Sequence, residues 1–114
     1  MTEKTCYTRI FNTVIPELFK RRMKRYYEEE FAEQPDLLSV RDVANLTGYS
    51  KMFIGKLIQE GTLRSVTASR VRYINKALLI DYLCTDEFDS ILRKTYWHKK
   101  HVAIFRKWKR SSRW

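Results

Sequence analysis

Cysteine, glycine and proline are scarce in this sequence, with two, three and two residues among 114. Cys6 and Cys84 are too few for a disulfide framework and cannot form a structural zinc site alone, so we expect both thiols to be reduced. No apolar run approaches the roughly 20 residues that span a bilayer. The first residues also lack the charged start and apolar stretch of a secretory signal. These absences predict a soluble, cytoplasmic protein that does not act at a membrane.

The sequence also lacks the motifs of common enzyme active sites. It has no glycine-rich phosphate loop, and neither of its two histidines lies in a nucleophile motif. His98 and His101 have a spacing that can place two imidazoles on one helix face, but no carboxylate or third ligand stands nearby in the sequence. We therefore predict that the protein is not an enzyme and uses no metal, cofactor or small-molecule substrate.

Positive charge is abundant and unevenly distributed. The formal net charge is +10, and the hydrophobic share of 44% is too high for a disordered basic tail. Residues 1–36 carry seven basic and seven acidic side chains, residues 37–84 seven and three, and residues 85–114 nine and three. Such an excess favours a polyanionic partner, because each phosphate neutralised by Lys or Arg releases counterions. The alternative is a solvated basic surface.

The middle of the chain has the pattern of two short helices separated by a tight turn. Ser39 is a predicted N-cap, with Asp42 placed to return the hydrogen bond, for a helix over residues 40–46. Gly48 is the residue type that ends a helix in the left-handed conformation. Ser50 then caps a second helix over residues 51–60. The second helix has an apolar face made of Ile54, Leu57 and Ile58.

A small two-stranded wing and a closing helix are predicted after Gly61. The stretches TLRSVTA and VRYIN are rich in residues that favour strands, and Asn75 can cap the helix KALLIDYL. The predicted fold is mainly α with a small β-hairpin: a winged helix-turn-helix at residues 37–84, with helical extensions at residues 1–36 and 85–114.

The stretch SVRDVANLTGYS resembles the start of excisionase and MerR-like winged helix-turn-helix domains. Their usual run is hydrophobic-S/T-V-x-E/D-V-A-x-L-x-G-V-S, then a short recognition helix, x-G-x-L, a wing and I-x-x-x-x-L-x-x-Y-L. The similarity extends over residues 37–83, and it implies major-groove binding by the second helix and minor-groove or phosphate contact by the wing. Two features depart from the pattern: Gly55 lies inside the recognition helix, and the wing tip TASRV has no glycine.

The residue types on the second helix and the wing agree with DNA binding. Lys51, Lys56 and Gln59 can reach phosphates and base edges, and Met52 and Phe53 would meet thymine methyl groups if exposed. Core packing is the favoured role of Phe53. Gly55 reflects close packing, a tolerated helical cost, or close approach of DNA to the backbone. The predicted DNA contacts are Ser39, Arg41, Ser50, Lys51, Met52, Gly55, Lys56, Gln59, Arg64, Ser69, Arg70 and Arg72, with Arg70 and Arg72 on one strand face.

The N-terminal extension predicts a helix over residues 16–33, with Pro16 at its start. Its basic half precedes its acidic half, which opposes the helix macrodipole. This face is either solvated, with internal ion pairs such as Lys24 with Glu28, or a partner surface whose basic half meets DNA. The predicted apolar side comprises Leu18, Phe19, Met23, Tyr26, Tyr27 and Phe31.

The C-terminal extension predicts one helix over residues 86–109, capped by Thr85. Its apolar stripe comprises Phe88, Ile91, Leu92, Val102, Phe105 and Trp108. Aromatic residues interleaved with Lys and Arg suit nucleic acid and equally a partner protein; an interfacial membrane helix is a distant third. The predicted contacts to partner or DNA are Lys99, Lys100, Arg106, Lys107 and Arg110.

Excisionase-like DNA architecture is the function that the resemblance favours. Such a bacterial, nucleoid-associated protein would bind and bend double-stranded DNA at mobile-element ends, recruit a site-specific recombinase and pack cooperatively along the site. A MerR-like transcription regulator bound to a promoter is the first alternative. The second is a protein-interaction adaptor whose winged helix no longer binds DNA.

Overall fold

Six helices and a three-stranded antiparallel sheet make up residues 9–111, the part of the chain that the computed structural model describes. Cys6 lies outside the described residues, and Cys84 is a buried free thiol whose pKa burial raises to about 12. The elements are α1 (Glu17–Glu30), β1 (Leu37–Ser39), α2 (Val40–Thr47), α3 (Lys51–Gln59), β2 (Ser65–Ala68), β3 (Val71–Asn75), α4 (Lys76–Leu83), α5 (Asp86–Asp89) and α6 (Tyr96–Arg110).

The helix-turn-helix of α2 and α3 forms as its capping residues predict. The Ser39 hydroxyl accepts from the Asp42 N–H at 3.1 Å, while the Asp42 carboxylate accepts from the Ser39 N–H at 3.1 Å. Gly48 ends α2 with φ of 80°, and the Ser50 hydroxyl accepts from the Phe53 N–H at 3.0 Å to begin α3. Local hydrogen bonds therefore set both helix starts, which confirms the predicted turn.

The wing is the hairpin of β2 and β3, and it belongs to a three-stranded sheet rather than the expected two. The additional strand, β1, pairs with β3 on the edge opposite β2. Ser69 and Arg70 form the turn with φ of 52° and 67°, the backbone of a tight two-residue hairpin turn without glycine. Because Arg70 lies in this turn and Arg72 in β3, the predicted placement of both on one strand face is wrong.

The helix α4 closes the helix-turn-helix as predicted. The Asn75 side chain accepts from the N–H groups of Ala77 and Leu78 at the start of α4. Leu79 and Leu83 of this helix are buried in the core. Helices α2, α3 and α4 and the β2–β3 hairpin thus form a winged helix-turn-helix within a mainly helical chain.

The helices α1 and α6 pack against this unit through an aromatic cluster. Phe105 of α6 lies 5.3 Å from Tyr26 and 5.6 Å from Tyr27 between ring centroids. The buried core is continuous across α1, the winged helix and α6. Leu18 is 61% exposed and does not belong to the predicted apolar side, and Lys24 pairs with Asp81 of α4 at 3.4 Å.

The N-terminal helix ends earlier than predicted because a tertiary contact caps it. α1 stops at Glu30, and the Lys76 ammonium donates to the carbonyl oxygens of Phe31 and Gln34 at 3.1 and 2.8 Å. A cation from another helix thus satisfies carbonyl groups that a longer helix would have bonded internally.

The predicted single C-terminal helix is wrong, because residues 90–95 separate α5 from α6. Asp89, at the end of α5, is buried and accepts from the Ile10 N–H at 2.9 Å. Thr95 begins α6 by accepting from the His98 N–H at 3.2 Å. Leu92, placed in the predicted apolar stripe, is 69% exposed in the break. Long-range bonds to the N-terminal segment and a second N-cap override the continuous helical pattern.

Candidate nucleic-acid interface

The recognition helix α3 has one buried and one exposed face. Ile54 and Leu57 are buried, and Phe53 and Ile58 are partly buried against the core, which confirms the core interpretation of Phe53. The outward face presents Lys51, Met52, Lys56 and Gln59, all of them exposed. This segregation leaves four chemically varied side chains free to meet a ligand.

A groove of about 620 Å³ separates α3 from the wing. It brings together five residues from the predicted DNA-binding set, four on the helix and one on β3. The remaining lining residue, Glu60, is the C-cap of α3 and contributes one negative charge to the rim. The five are Met52, Gly55, Lys56, Gln59 and Arg72.

The basic side chains at this groove have no structural partner. Among residues 9–111, no hydrogen bond or ion pair involves the side chains of Lys56 and Arg72 at the groove or of Lys51 on the same exposed face of α3. A charged side chain that stabilises a fold normally has a carboxylate or carbonyl partner. These cations therefore remain available to phosphates.

The two predicted serine contacts at helix starts are engaged in capping. The hydroxyl oxygens of Ser39 and Ser50 each accept a backbone N–H, so each hydroxyl retains its proton and one lone pair for a ligand. Arg41, in the first turn of α2, is exposed. The sequence predicted that both serines cap a helix and contact DNA. The structure shows the capping hydrogen bond of each serine.

The wing presents the remaining predicted contacts at its edge and tip. Ser69 and Arg70 are exposed at the turn, and Arg64 is exposed just before β2. Arg72 lies opposite Thr67 in the hairpin register. The wing thus carries three exposed arginines, one before the hairpin, one at its tip and one beside the α3 groove.

The helix α6 carries a second basic surface of a different kind. Lys99, Lys107 and Arg110 border a groove of about 560 Å³ whose lining is mostly apolar and includes Val102 and Ala103. Lys100 is exposed but does not line this groove. Arg106 is partly buried and donates to the Arg9 carbonyl at 3.1 Å, so it also ties the N-terminal segment to α6.

Both histidines of α6 face the core. His98 lies 2.6 Å from the Tyr49 hydroxyl through Nδ1 and stacks on Phe88 with 3.8 Å between ring centroids. Burial, with a smaller contribution from the charge of Lys94, lowers the pKa of His98 to about 3. His101 Nδ1 lies 2.8 Å from the Trp97 carbonyl. Within residues 9–111 no three His, Cys, Asp or Glu side chains are placed to hold a metal ion.

Sequence reasoning missed the contact that joins the turn to α6. The Thr95 hydroxyl donates to the Thr47 carbonyl at 2.7 Å, next to Gly48. A Cβ atom on Gly48 would lie 3.2 Å from the Thr95 Cβ, and Tyr49 reaches His98. Thr95 and Tyr49 thereby fix the turn that begins α3. The one sign of this contact in the sequence was Tyr49, an aromatic residue within the tight turn.

No helix among the described residues is long and apolar enough to cross a bilayer. Comparisons with family models, curated proteins and solved structures find no match to the chain. Any assignment of function therefore rests on the residues described above and on the geometry that joins them.

Proposed function

We propose that the protein binds double-stranded DNA, with α3 in the major groove and the wing against the backbone. The observation that carries this proposal is the groove between α3 and β3, where Lys56, Gln59 and Arg72 converge without structural partners. Ammonium and guanidinium groups bind phosphates, and a glutamine amide pairs with base edges. An exposed helix of nine residues beside a hairpin has the dimensions that a major groove admits.

The biological role proposed is that of an excisionase-like architectural protein. It would bend DNA at the ends of a mobile element, at a cost of about 1–6 kcal/mol that added contacts offset, and pack cooperatively along the site. The second surface, on α6, supports recruitment of a site-specific recombinase, because basic side chains around an apolar floor suit a protein with acidic and apolar groups. Its location would be the bacterial cytoplasm, on the nucleoid.

A MerR-like transcription regulator is the first alternative to this role. Those proteins normally place a long dimerisation coil after the winged helix. Here Val102 and Phe105 of α6 are buried against the same chain. That packing commits the buried apolar stripe of this helix to the same chain rather than to a coil, and it favours the architectural role.

A protein-interaction adaptor without DNA binding is the second alternative, and the α6 groove also suits it. The two readings differ in their preference for duplex DNA. A specific DNA-binding protein binds its site typically 10³-fold or more tightly than other duplexes. An adaptor would bind no duplex better than it binds heparin, a nonspecific polyanion.

Selection from a random-sequence duplex pool, followed by footprinting on genomic DNA, tests the proposal. We expect enriched duplexes that bind the protein far more tightly than scrambled duplexes or heparin. Protection at recombination ends would support the architectural role, whereas protection only at a promoter would support the regulator. Equal affinity for every duplex and for heparin would contradict DNA recognition.

A further inference from the structure

We propose that Met52 and Gly55 read a thymine methyl group, so that the preferred duplex carries an A·T pair under the N-terminal half of α3. This inference rests on the proposed DNA binding and adds the base that the surface selects. The two residues lie three positions apart on α3 and line the same groove. They thus form an apolar spot inside an otherwise polar surface.

The fold gives no reason for glycine at position 55. Positive φ occurs at Gly48 and Gly61 among the described glycines, but not at Gly55. A Cβ atom at Gly55 would meet nothing within 4 Å, so the core does not need the space either. Glycine inside a helix lowers its stability relative to alanine. Close packing within the chain, one of the interpretations of this residue, is therefore wrong, which leaves a tolerated helical cost or the close approach of a ligand to the backbone.

Met52 is unusual for a residue that faces water. Its side chain is 85% exposed on the outward face of α3, and its groove neighbours Lys56, Gln59 and Arg72 are polar. An exposed thioether side chain gains little from the folded state. It gains more if a ligand covers it, because burial of its apolar surface is favourable.

The thymine C5-methyl group is the apolar feature that major-groove base edges present. Met52 can cover that methyl group, and the missing side chain of Gly55 lets the helix backbone approach the base edges. Gln59 lies seven residues after Met52 on the same face, about 10 Å along the helix axis. That distance spans at most about three base-pair steps. Glutamine pairs with the N6 and N7 positions of adenine. The predicted site therefore has a thymine near Met52 and an adenine within about three pairs of it.

Removing single methyl groups from the DNA tests this reading. In the duplex selected by the wild-type protein, each thymine is replaced in turn by deoxyuridine, which lacks only the C5-methyl. We expect one replacement to weaken wild-type binding about fourfold, the value for one buried methyl-sized group. Met52→Ala should bind the parent duplex more weakly and show no further loss with that replacement. Leu18→Ala, which truncates an exposed apolar side chain on α1, should respond as the wild type does.

Gly55→Ala tests the close approach separately from folding. We expect its thermal midpoint to rise, because alanine favours the helix and its Cβ meets no atom. Its affinity for the selected duplex should nevertheless fall about tenfold, as a steric contact in the interface would cause.

Three results would overturn the inference in distinguishable ways. If the wild type selects no duplex, DNA binding fails and the thymine reading fails with it. If a duplex is selected but no deoxyuridine replacement weakens binding, DNA binding stands and only the reading by Met52 fails. If Gly55→Ala keeps full affinity for the selected duplex, the DNA does not approach the backbone at this position and that part of the inference fails.

Discussion

Helices α3 and α6 both carry basic side chains, but they differ in whether those side chains bind other parts of the same chain. On α6, the Lys109 ammonium donates to the Ile10 carbonyl at 3.1 Å and lies 4.7 Å from the centroid of the Phe11 ring. Arg106 donates to the neighbouring Arg9 carbonyl. On α3, neither the Lys51 nor the Lys56 side chain takes part in a hydrogen bond or ion pair with residues 9–111.

This difference distinguishes basic side chains that stabilise the fold from basic side chains that remain free to bind a ligand. Part of the α6 charge fastens the N-terminal segment onto the aromatic cluster, so the total charge of this helix overstates its capacity for binding. The α3 charge does nothing for the fold, since it has no intramolecular partner. Within the described part of the chain, Lys99 and Lys107 of α6 also lack a side-chain partner, but they border a mostly apolar groove. Lys56 instead lies beside Gln59 and Arg72 in the α3 groove, which favours α3 as the DNA-binding face.

Removing the α6 anchor should have the largest effect on stability. Phe105 is fully buried and lies 4.9 Å from Trp108 and 5.3 Å from Tyr26 between ring centroids. We expect Phe105→Ala to lower the free energy of unfolding by about 3–5 kcal/mol, because the surrounding side chains cannot collapse to fill the cavity that the substitution leaves. Urea denaturation followed by circular dichroism measures the loss.

The exposed side chain of Tyr96, on the same helix, provides the control. Tyr96→Ala should change the free energy of unfolding by no more than about 0.5 kcal/mol, as at most surface positions. Equal losses for Phe105→Ala and Tyr96→Ala would contradict the structural role given to the inner face of α6.

The link between the helix-turn-helix and α6 should make stability depend on pH. The folded-state pKa of His98 lies at about 3, below its usual value of 6.5, so the unfolded chain binds the extra proton between these values. Stability is therefore complete above pH 6.5 and falls as the pH drops toward 3. We expect a loss of about 2 kcal/mol between pH 7 and pH 5 from His98.

Replacing the titrating group separates His98 from other ionisable residues. His98→Asn keeps an acceptor for the Tyr49 hydroxyl and removes the titration. The variant should be less stable than the wild type at pH 7, and its stability should decline less on acidification. His101, whose pKa burial also lowers, accounts for part of the remaining slope. Identical slopes for the two proteins would show that folding does not lower the pKa of His98.

The wing offers a smaller effect that separates folding from binding. Arg70 has φ of 67°, a conformation that costs an L-residue about 1 kcal/mol or more. We expect Arg70→Gly to raise the free energy of unfolding by up to about 1 kcal/mol while it weakens duplex binding through the lost cation. Thermal melting and fluorescence anisotropy measure the two changes.

A strand position supplies the matched comparison for this substitution. Thr67 is exposed in β2, where glycine loses strand propensity and gains no relief from a left-handed conformation. Thr67→Gly should therefore destabilise the protein. If Arg70→Gly destabilises it equally, the turn does not carry the expected strain.

The sequence predicted the elements whose signals are local. The Ser39 and Asp42 capping box, the left-handed Gly48 and the Ser50 cap each act within four residues, and all are present. The outward placement of Lys56 and Gln59 followed from helical periodicity. The winged helix was therefore accessible from the pattern of residues alone.

The elements that depend on distant contacts were not accessible. β1 exists because Leu38 pairs with Ile74. α1 ends where the Lys76 ammonium donates to the carbonyl oxygens of Phe31 and Gln34, just after the helix. The break before α6 depends on the bond between Asp89 and the Ile10 N–H, which joins residues 79 positions apart. The convergence of Arg72 with α3 likewise required the hairpin register.

Paired charge removal on the two helices tests the central claim most directly. Lys56→Ala with Arg72→Ala removes two cations from the α3 groove, and Lys99→Ala with Lys107→Ala removes two from α6. Duplex affinity would be measured across a range of salt concentrations. The first double variant should bind more weakly and lower the slope of log affinity against log salt by about 2, since each phosphate contact contributes about 0.9. The second should keep the wild-type slope. Equal reductions in both would mean that DNA binds the basic surface as a whole, contradicting a dedicated α3 face.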